Sequence, residues 1–237
     1  MMWCMAGTAN ADVFRKPSPM TDRNAFTTLL SERDWLLADG ATGTNLFNMG
    51  LQSGDAPELW NETHPENIRT LYRGAVDAGS DIFLTNSFGG NRARLKLHDA
   101  GHRARELSRI AAEIGRDIAD ASGRTVIVAG SMGPTGEIMA PLGPLTHADA
   151  VEMFHEQAEG LKAGGADVLW VETISAAEEF AAAAEAFAER YRGRIGELSA
   201  DALAEALDTL GDLQDRLGRA QTYAFLHWSV DTNDGER

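Results

Sequence analysis

Four short segments of this chain are polar or rich in glycine, which are residue types that suit small-molecule sites at turns. They are 39–44 (DGATGT), 85–91 (TNSFGGN), 130–137 (GSMGPTGE) and 172–173 (ET). The third segment lacks the Gly-Lys-Ser/Thr ending of a phosphate loop, and no compact Gly-x-Gly-x-x-Gly motif follows the first predicted strand. Nucleotide binding is therefore not expected. Taken singly, the acids Asp39 and Glu172 could be ordinary helix-capping residues, and the glycines could be plain turns.

Residues that could hold a metal are sparse. His98 and His102 are four residues apart and could share a helix face, but no third ligand follows them, so surface histidines are the favoured interpretation. The chain has one cysteine, Cys4, which excludes an intramolecular disulfide and is typical of the reducing cytoplasm. These residues predict a cytoplasmic protein without a metal site of its own.

Each polar segment follows a predicted strand. Apolar runs predict strands at 35–38, 81–85, 125–129 and 167–171, and amphipathic helices lie between them. Strands that alternate with helices indicate β/α units and a parallel sheet. Polar residues at the carboxyl ends of such strands are typical of a (β/α)8 barrel, whose active site lies on that face. A doubly wound sheet is the alternative, since it also binds ligands at carboxyl strand ends.

The pattern changes after Phe187. Four β/α units are complete by then, whereas a full barrel of this type takes about 250 residues. Beyond this point a stripe of leucines predicts an amphipathic helix over about 199–217. The predicted organisation is a disordered leader at 1–24, an incomplete (β/α)8 barrel at 25–187 and a helical tail of different origin at 188–237.

The overall charge argues against two classes of partner. The net charge is −15 and the isoelectric point is about 4.7, whereas nucleic acids and anionic membrane surfaces attract basic proteins. No apolar run approaches the roughly 18 residues that a membrane-spanning helix needs. The first 19 residues lack the basic and apolar regions of a secretory signal.

Together and in this order, the four segments resemble the homocysteine S-methyltransferase family. That family includes betaine–homocysteine methyltransferases and the homocysteine domain of cobalamin-dependent methionine synthases. The resemblance covers about 25–187 and is closest at 36–57 and 85–97. It implies transfer of a methyl group from a donor such as betaine to the thiol of homocysteine, which gives methionine.

The resemblance also implies roles for five residues. Asp39 and Glu172 match the family acids that contact the ammonium group of homocysteine, and two converging carboxylates suit a cation. Gly40 would let the backbone approach the amino acid. Thr85 and Phe88 would line the pocket near the carboxylate and side chain of the substrate.

The family's metal is where this sequence departs from the resemblance. Family members hold one zinc ion on three cysteine thiolates of later strands, whereas this chain has only Cys4. Without the metal the thiol keeps a pKa of about 8.5. The tail from about Ala188 resembles instead an N-terminal helical stretch of M3-type oligoendopeptidases, again without that family's zinc motif.

Two functional hypotheses follow. The chain is either a homocysteine S-methyltransferase-type protein that is inactive unless another chain supplies the missing half, or a non-catalytic remnant that binds a partner through its helical tail. Four parallel strands without barrel closure would also leave two free edges, so self-association through those edges is expected.

Overall fold

The computed structural model describes residues 25–191, and for Thr27 and 187–191 it describes the backbone only. The predicted leader at 1–24, the amphipathic helix at 199–217 and the peptidase-like tail lie outside these residues. The α-helices of the described range are α1 (Ala25–Glu32), α2 (Thr42–Asn48), α3 (Trp60–Thr63), α4 (Pro65–Asp77), α5 (Arg92–Leu95), α6 (Ala104–Asp120), α7 (His147–Ala163) and α8 (Ala177–Tyr191).

The sheet described by the structure has three parallel strands: β1 (Ile82–Leu84), β2 (Ile127–Met132) and β3 (Val168–Val171), in the order β1-β2-β3. Ile82 pairs with Ile127, and Ala129 pairs with Val168. Each connection between neighbouring strands contains a long helix, which confirms the predicted α/β architecture with a parallel sheet. Whether the sheet belongs to an incomplete barrel stays a prediction.

The prediction of a first strand at 35–38 is wrong. In the structure this segment makes one isolated bridge, from Ala38 to Ile82. It still runs parallel to β1, because the Ile82 N–H donates to the Leu37 carbonyl and the Asp39 N–H donates to the Ile82 carbonyl. The segment is too short and too exposed for a regular strand, since Trp35 is 62% exposed.

Alternating strand residues enter two different apolar clusters. Phe83, Val128 and Leu169 face the main core, which α4, α6, α7 and α8 cover. Ile82, Ile127 and Val168 face a smaller cluster on the other side of the sheet. Helix α1 covers part of that second face with two buried residues, Phe26 and Leu29. Both faces of the strands are therefore covered, as the continuous, mostly β-branched run at 125–129 (TVIVA) predicts.

Local signals in the sequence explain where the long helices begin and end. Pro65 opens α4, and Gly79 follows its end with φ at +94°, a conformation that favours glycine. The Thr146 side chain accepts a hydrogen bond from the Asp149 N–H, which caps α7. Gly50, Gly54 and Pro57 in the sequence favour a long loop after Asp39, but the segment contains α2.

Candidate functional site

The four polar segments meet at the carboxyl edge of the sheet. The first follows the bridge at Ala38, the second follows β1 and the fourth follows β3. The third begins inside β2, because β2 runs from Ile127 to Met132 rather than over the predicted 125–129. Ser131 is therefore a strand residue whose backbone is fixed by the sheet.

Asp39 is a partly buried carboxylate without a cation partner among residues 25–191. Its Oδ1 accepts a hydrogen bond of 3.1 Å from the Leu84 N–H, the last residue of β1. Burial raises the pKa of Asp39 to about 7, the Leu84 N–H opposes this, and the negative charge of Glu172 raises the pKa further. Asp39 is thus partly protonated near neutral pH.

Glu172 is the second carboxylate of the site and follows β3 directly. Its N–H donates to the Met132 carbonyl, and its Oε1 accepts a hydrogen bond of 2.5 Å from the Ser131 hydroxyl. Burial raises the pKa of Glu172, and the Ser131 hydroxyl partly counteracts this. The ion pairs of the described residues include no arginine or lysine on Glu172 or Asp39. The structure therefore brings both predicted acids close enough for their charges to interact.

Strained backbone follows both acids. Ala41 and Thr173 each have φ at +61°, in the left-handed region that side chains rarely adopt. For a β-branched residue such as Thr173 this conformation is especially unfavourable. Strain of this kind concentrates at functional sites, because the surrounding structure must hold it in place.

The other three predicted residues occupy different environments. Gly40 is exposed, and a Cβ there would meet no atom within 4 Å. Thr85 is 2% exposed, and its hydroxyl pairs with Ser87 at 2.6 Å and accepts from the Ser131 N–H at 3.1 Å. Thr85 thus joins the two strand ends, and a role in lining the substrate pocket stays a prediction.

Phe88 packs on a glycine of the third segment. The Gly133 N–H donates to the Phe88 carbonyl at 2.9 Å, and a Cβ at Gly133 would lie 2.5 Å from the Phe88 ring. Any side chain at residue 133 would therefore displace the ring. Contact between Phe88 and a substrate stays a prediction.

Sequence reasoning missed two polar side chains that support the site. Tyr72 lies on the apolar stripe of α4, yet its hydroxyl accepts a hydrogen bond of 2.6 Å from the Asn86 N–H. Burial raises the pKa of Tyr72, and the charge of Asp39 adds to the shift, so the phenol lies near that acid. Gln157 is fully buried on α7 and contacts two of the polar segments. A polar residue on an otherwise apolar helix face is the only signal that could have marked either one.

The described residues do not fit the zinc site of the family. Among them, no group of three or more histidine, cysteine, aspartate or glutamate side chains is arranged to hold a metal ion. His98 and His102 lie in two separate 3-10 turns, Lys96–His98 and Gly101–Arg103, so they do not share one helix face. The sequence contains one cysteine, which cannot supply three thiolates.

Comparison with known proteins now identifies the class. A sequence model of the homocysteine S-methyltransferase family matches residues 36–208, and the chain belongs to this family. The match continues past Phe187, where the sequence pattern predicted that the resemblance ends. Within the described residues, no helix is long and apolar enough to cross a membrane.

Two curated relatives are methionine synthases. The chain is 38% identical over 154 residues to the protein of Mycobacterium tuberculosis, which covers 61% of this chain and 13% of the relative. It is 35% identical over 147 residues to the protein of Mycobacterium leprae, which covers 58% of this chain and 12% of the relative. The chain therefore spans a small part of these relatives.

Solved structures of the homocysteine methyltransferase MmuM from Escherichia coli are similar in fold. The metallated form superimposes with a TM-score of 0.60 at 28% identity, over 70% of this chain and 63% of that one. The oxidised form gives a TM-score of 0.61 at 27% identity, over 73% and 64%. The described residues thus share the α/β fold of a homocysteine methyltransferase over less than two thirds of its length.

Proposed function

We propose that this chain carries the amino-acid-binding part of a homocysteine S-methyltransferase, in which Asp39 and Glu172 hold the α-ammonium group of homocysteine. The observation that supports this most strongly is the carboxylate pair itself. Two acids from separate segments lie at the carboxyl edge of the sheet, the charge of Glu172 acts on Asp39, and no cation from the described residues forms an ion pair with either one.

The electrostatics of the pair favour a cationic ligand. Burial, with a smaller contribution from the negative charge of Glu172, raises the pKa of Asp39 to about 7, so Asp39 is partly protonated near neutral pH. An ammonium group reverses this balance, because both carboxylates can then ionise and accept its hydrogen bonds. Binding should therefore displace the proton of Asp39.

The family reaction would take place at the other end of the substrate. The homocysteine sulfur would attack the methyl carbon of a donor such as betaine, the bond from that carbon to the donor would break, and the thiol proton would be lost. A free thiol has a pKa of about 8.5, and the described residues contain no site that would lower it. We therefore propose that these residues bind the amino acid but do not transfer the methyl group unaided.

Titration calorimetry of the whole chain with homocysteine tests the binding site. Asp39→Asn and Glu172→Gln should each weaken binding at least tenfold, because each removes one charged acceptor. Glu178→Gln is a matched control, since Glu178 is an exposed acid on α8. Homoserine should still bind, whereas 4-mercaptobutanoate, which lacks the ammonium group, should not. Unchanged affinity in both site variants would contradict the assignment.

A non-catalytic binding protein is the second candidate, and the single cysteine favours it. Two measurements separate it from a complete methyltransferase. Metal analysis after washing with a chelator should find less than one zinc per chain, and no methionine should form from homocysteine with betaine or with a methylated folate or cobalamin. One tightly held zinc per chain, or steady methionine formation, would contradict this part of the proposal.

Self-association is a further part of the proposal. The segment beside β1 leaves Trp35 62% exposed and Leu37 37% exposed, whereas their chain neighbours Leu36 and Ala38 pack against the second apolar cluster. Another copy of the chain that docks along this edge would bury them. Analytical ultracentrifugation over a concentration series should show dimers or larger species, and Trp35→Lys should reduce them. A monomer at every concentration would contradict it.

A further inference from the structure

We propose that Gln157 is a positioning residue for the Glu172 carboxylate, and that it acts through the backbone of Ser131. Gln157 lies on α7 and does not touch Glu172 through any hydrogen bond of the structure. The inference rests on the proposed function, because it concerns one of the two acids assigned to the ammonium group.

One buried amide joins two of the polar segments. Gln157 is fully buried, and its Nε2 donates to the Ser87 carbonyl at 2.6 Å and to the Ser131 carbonyl at 3.3 Å. Ser87 follows β1, and Ser131 lies near the end of β2. The amide therefore fixes the spacing of two strand ends from the helix layer behind them.

The backbone of Ser131 in turn orients the hydroxyl that holds Glu172. The Ser131 N–H donates to the Thr85 hydroxyl at 3.1 Å, and its carbonyl accepts from Gln157. With both polar groups of its backbone held, the hydroxyl donates to Glu172 Oε1. A hydrogen bond to the ionised form of a carboxyl group favours that form, so the chain of contacts keeps Glu172 ready for a cation.

Folding stability alone does not account for an amide at this place. The Ser87 carbonyl also accepts from the Gly90 N–H at 2.9 Å, and the Ser131 carbonyl also accepts from the Ser87 hydroxyl at 2.8 Å. Neither carbonyl would be left unpaired without Gln157. The amide instead brings a cost, because its Oε1 is buried with no hydrogen-bond partner among the described residues. The same holds for the nearby Ser108 hydroxyl.

Gly90 leaves room for this arrangement. A Cβ at residue 90 would lie 2.8 Å from the Ser87 carbonyl oxygen, 2.9 Å from Ser108 Oγ and 3.0 Å from Gln157 Nε2. Any larger residue there would push the amide away from the strand ends. Gly90→Ala should therefore reproduce the effect of losing the Gln157 amide.

The test is an NMR titration of the Glu172 side-chain carboxyl in the ligand-free full chain. The variants are Gln157→Met, which keeps the length of the side chain, Ser131→Ala and the double variant. We expect Gln157→Met to raise the pKa of Glu172 in the direction of Ser131→Ala, and the double variant to match Ser131→Ala alone. The titratable groups linked electrostatically to this site are Asp39, which the charge of Glu172 influences, and the Tyr72 phenol, which the charge of Asp39 influences, and neither changes in this series.

Phe154→Leu is the control for general damage to α7. Phe154 is fully buried on the same helix, so its variant should lower the melting temperature and leave the titration of Glu172 unchanged. An unchanged pKa of Glu172 in Gln157→Met would overturn the proposal. Failure of Gln157→Met to fold would also overturn it, because the role of the amide would then be to stabilise the fold. No ligand is needed, so a failure to bind homocysteine would overturn the proposed function and not this inference.

Discussion

The carboxylates at the two ends of the sheet differ in the sign of their charged neighbours. At the amino ends, Asp81 precedes β1 and Asp167 precedes β3. Asp81 accepts the Leu37 N–H and pairs with Arg33 at 2.6 Å. Asp167 accepts the Val128 N–H and pairs with Arg116 at 3.0 Å. Each acid thus holds the backbone of the neighbouring segment and has a cation partner.

At the carboxyl ends, Asp39 also accepts a backbone N–H, but its charged neighbour is another acid, Glu172. The same residue type in the same sheet is therefore compensated at one end and uncompensated at the other. Burial raises the pKa of Asp167 too, but Arg116 works against that shift, whereas Glu172 adds to the shift of Asp39. This contrast is what we expect if the acids at the amino ends stabilise the fold and the acids at the carboxyl ends bind the proposed ligand.

The largest effect expected from this contrast is on stability at the amino ends. Asp81→Asn keeps the shape of the side chain but removes the charge that Arg33 and Arg124 face, and should reduce the free energy of unfolding by about 2–3 kcal/mol. Asp39→Asn, the matched change at the other end, should not reduce it, because burial already disfavours the charge of Asp39. Urea denaturation measures both. Equal losses of unfolding free energy in Asp81→Asn and Asp39→Asn would contradict this contrast.

A second effect concerns the pH dependence of stability. The pKa of Asp39 is raised from 3.8 in the unfolded chain to about 7 in the folded protein. Folded protein therefore holds a proton that the unfolded chain releases, so the contribution of Asp39 to stability falls as pH rises from about 4 to about 7. Asp39→Asn should remove this slope. Urea midpoints measured at several pH values would refute the idea if both proteins gave the same slope.

The smallest effect is expected at Arg116. Arg116→Gln should reduce the free energy of unfolding by about 1 kcal/mol, because this partly exposed pair is screened by solvent. The loss should be larger at pH 7 than at pH 4, where protonation of Asp167 weakens the pair. Thermal melts at both pH values are the measurement, and a loss independent of pH would assign Arg116 to packing alone.

Much of the fold could be predicted from periodicity. The stripe on α4 and the capping residues of α7 located these helices, and the apolar runs located β1, β2 and β3. The prediction was wrong for the segment at 35–38, because its apolar residues are typical of a strand but it makes a single bridge in the structure. Edge pairing depends on neighbouring segments, which a local pattern does not contain.

The candidate site could be predicted only in part. Asp39 and Glu172 were found from family motifs, and the structure brings them together. Two of their neighbours were not predicted: Ser131 lies inside a motif without an assigned role, and Tyr72 lies on the apolar stripe of α4. Gln157 acts across 26 residues on Ser131 and across 70 residues on Ser87, and such contacts leave no trace in local sequence.

The central claim is that the acid pair binds an ammonium group and releases a proton as it does so. Calorimetric titration of homocysteine at pH 7, in buffers with different ionisation enthalpies, measures that proton directly. The account predicts proton release with the unaltered chain and none with any binding that remains in Asp39→Asn. Binding of homocysteine without proton release, or with proton uptake, would contradict the account.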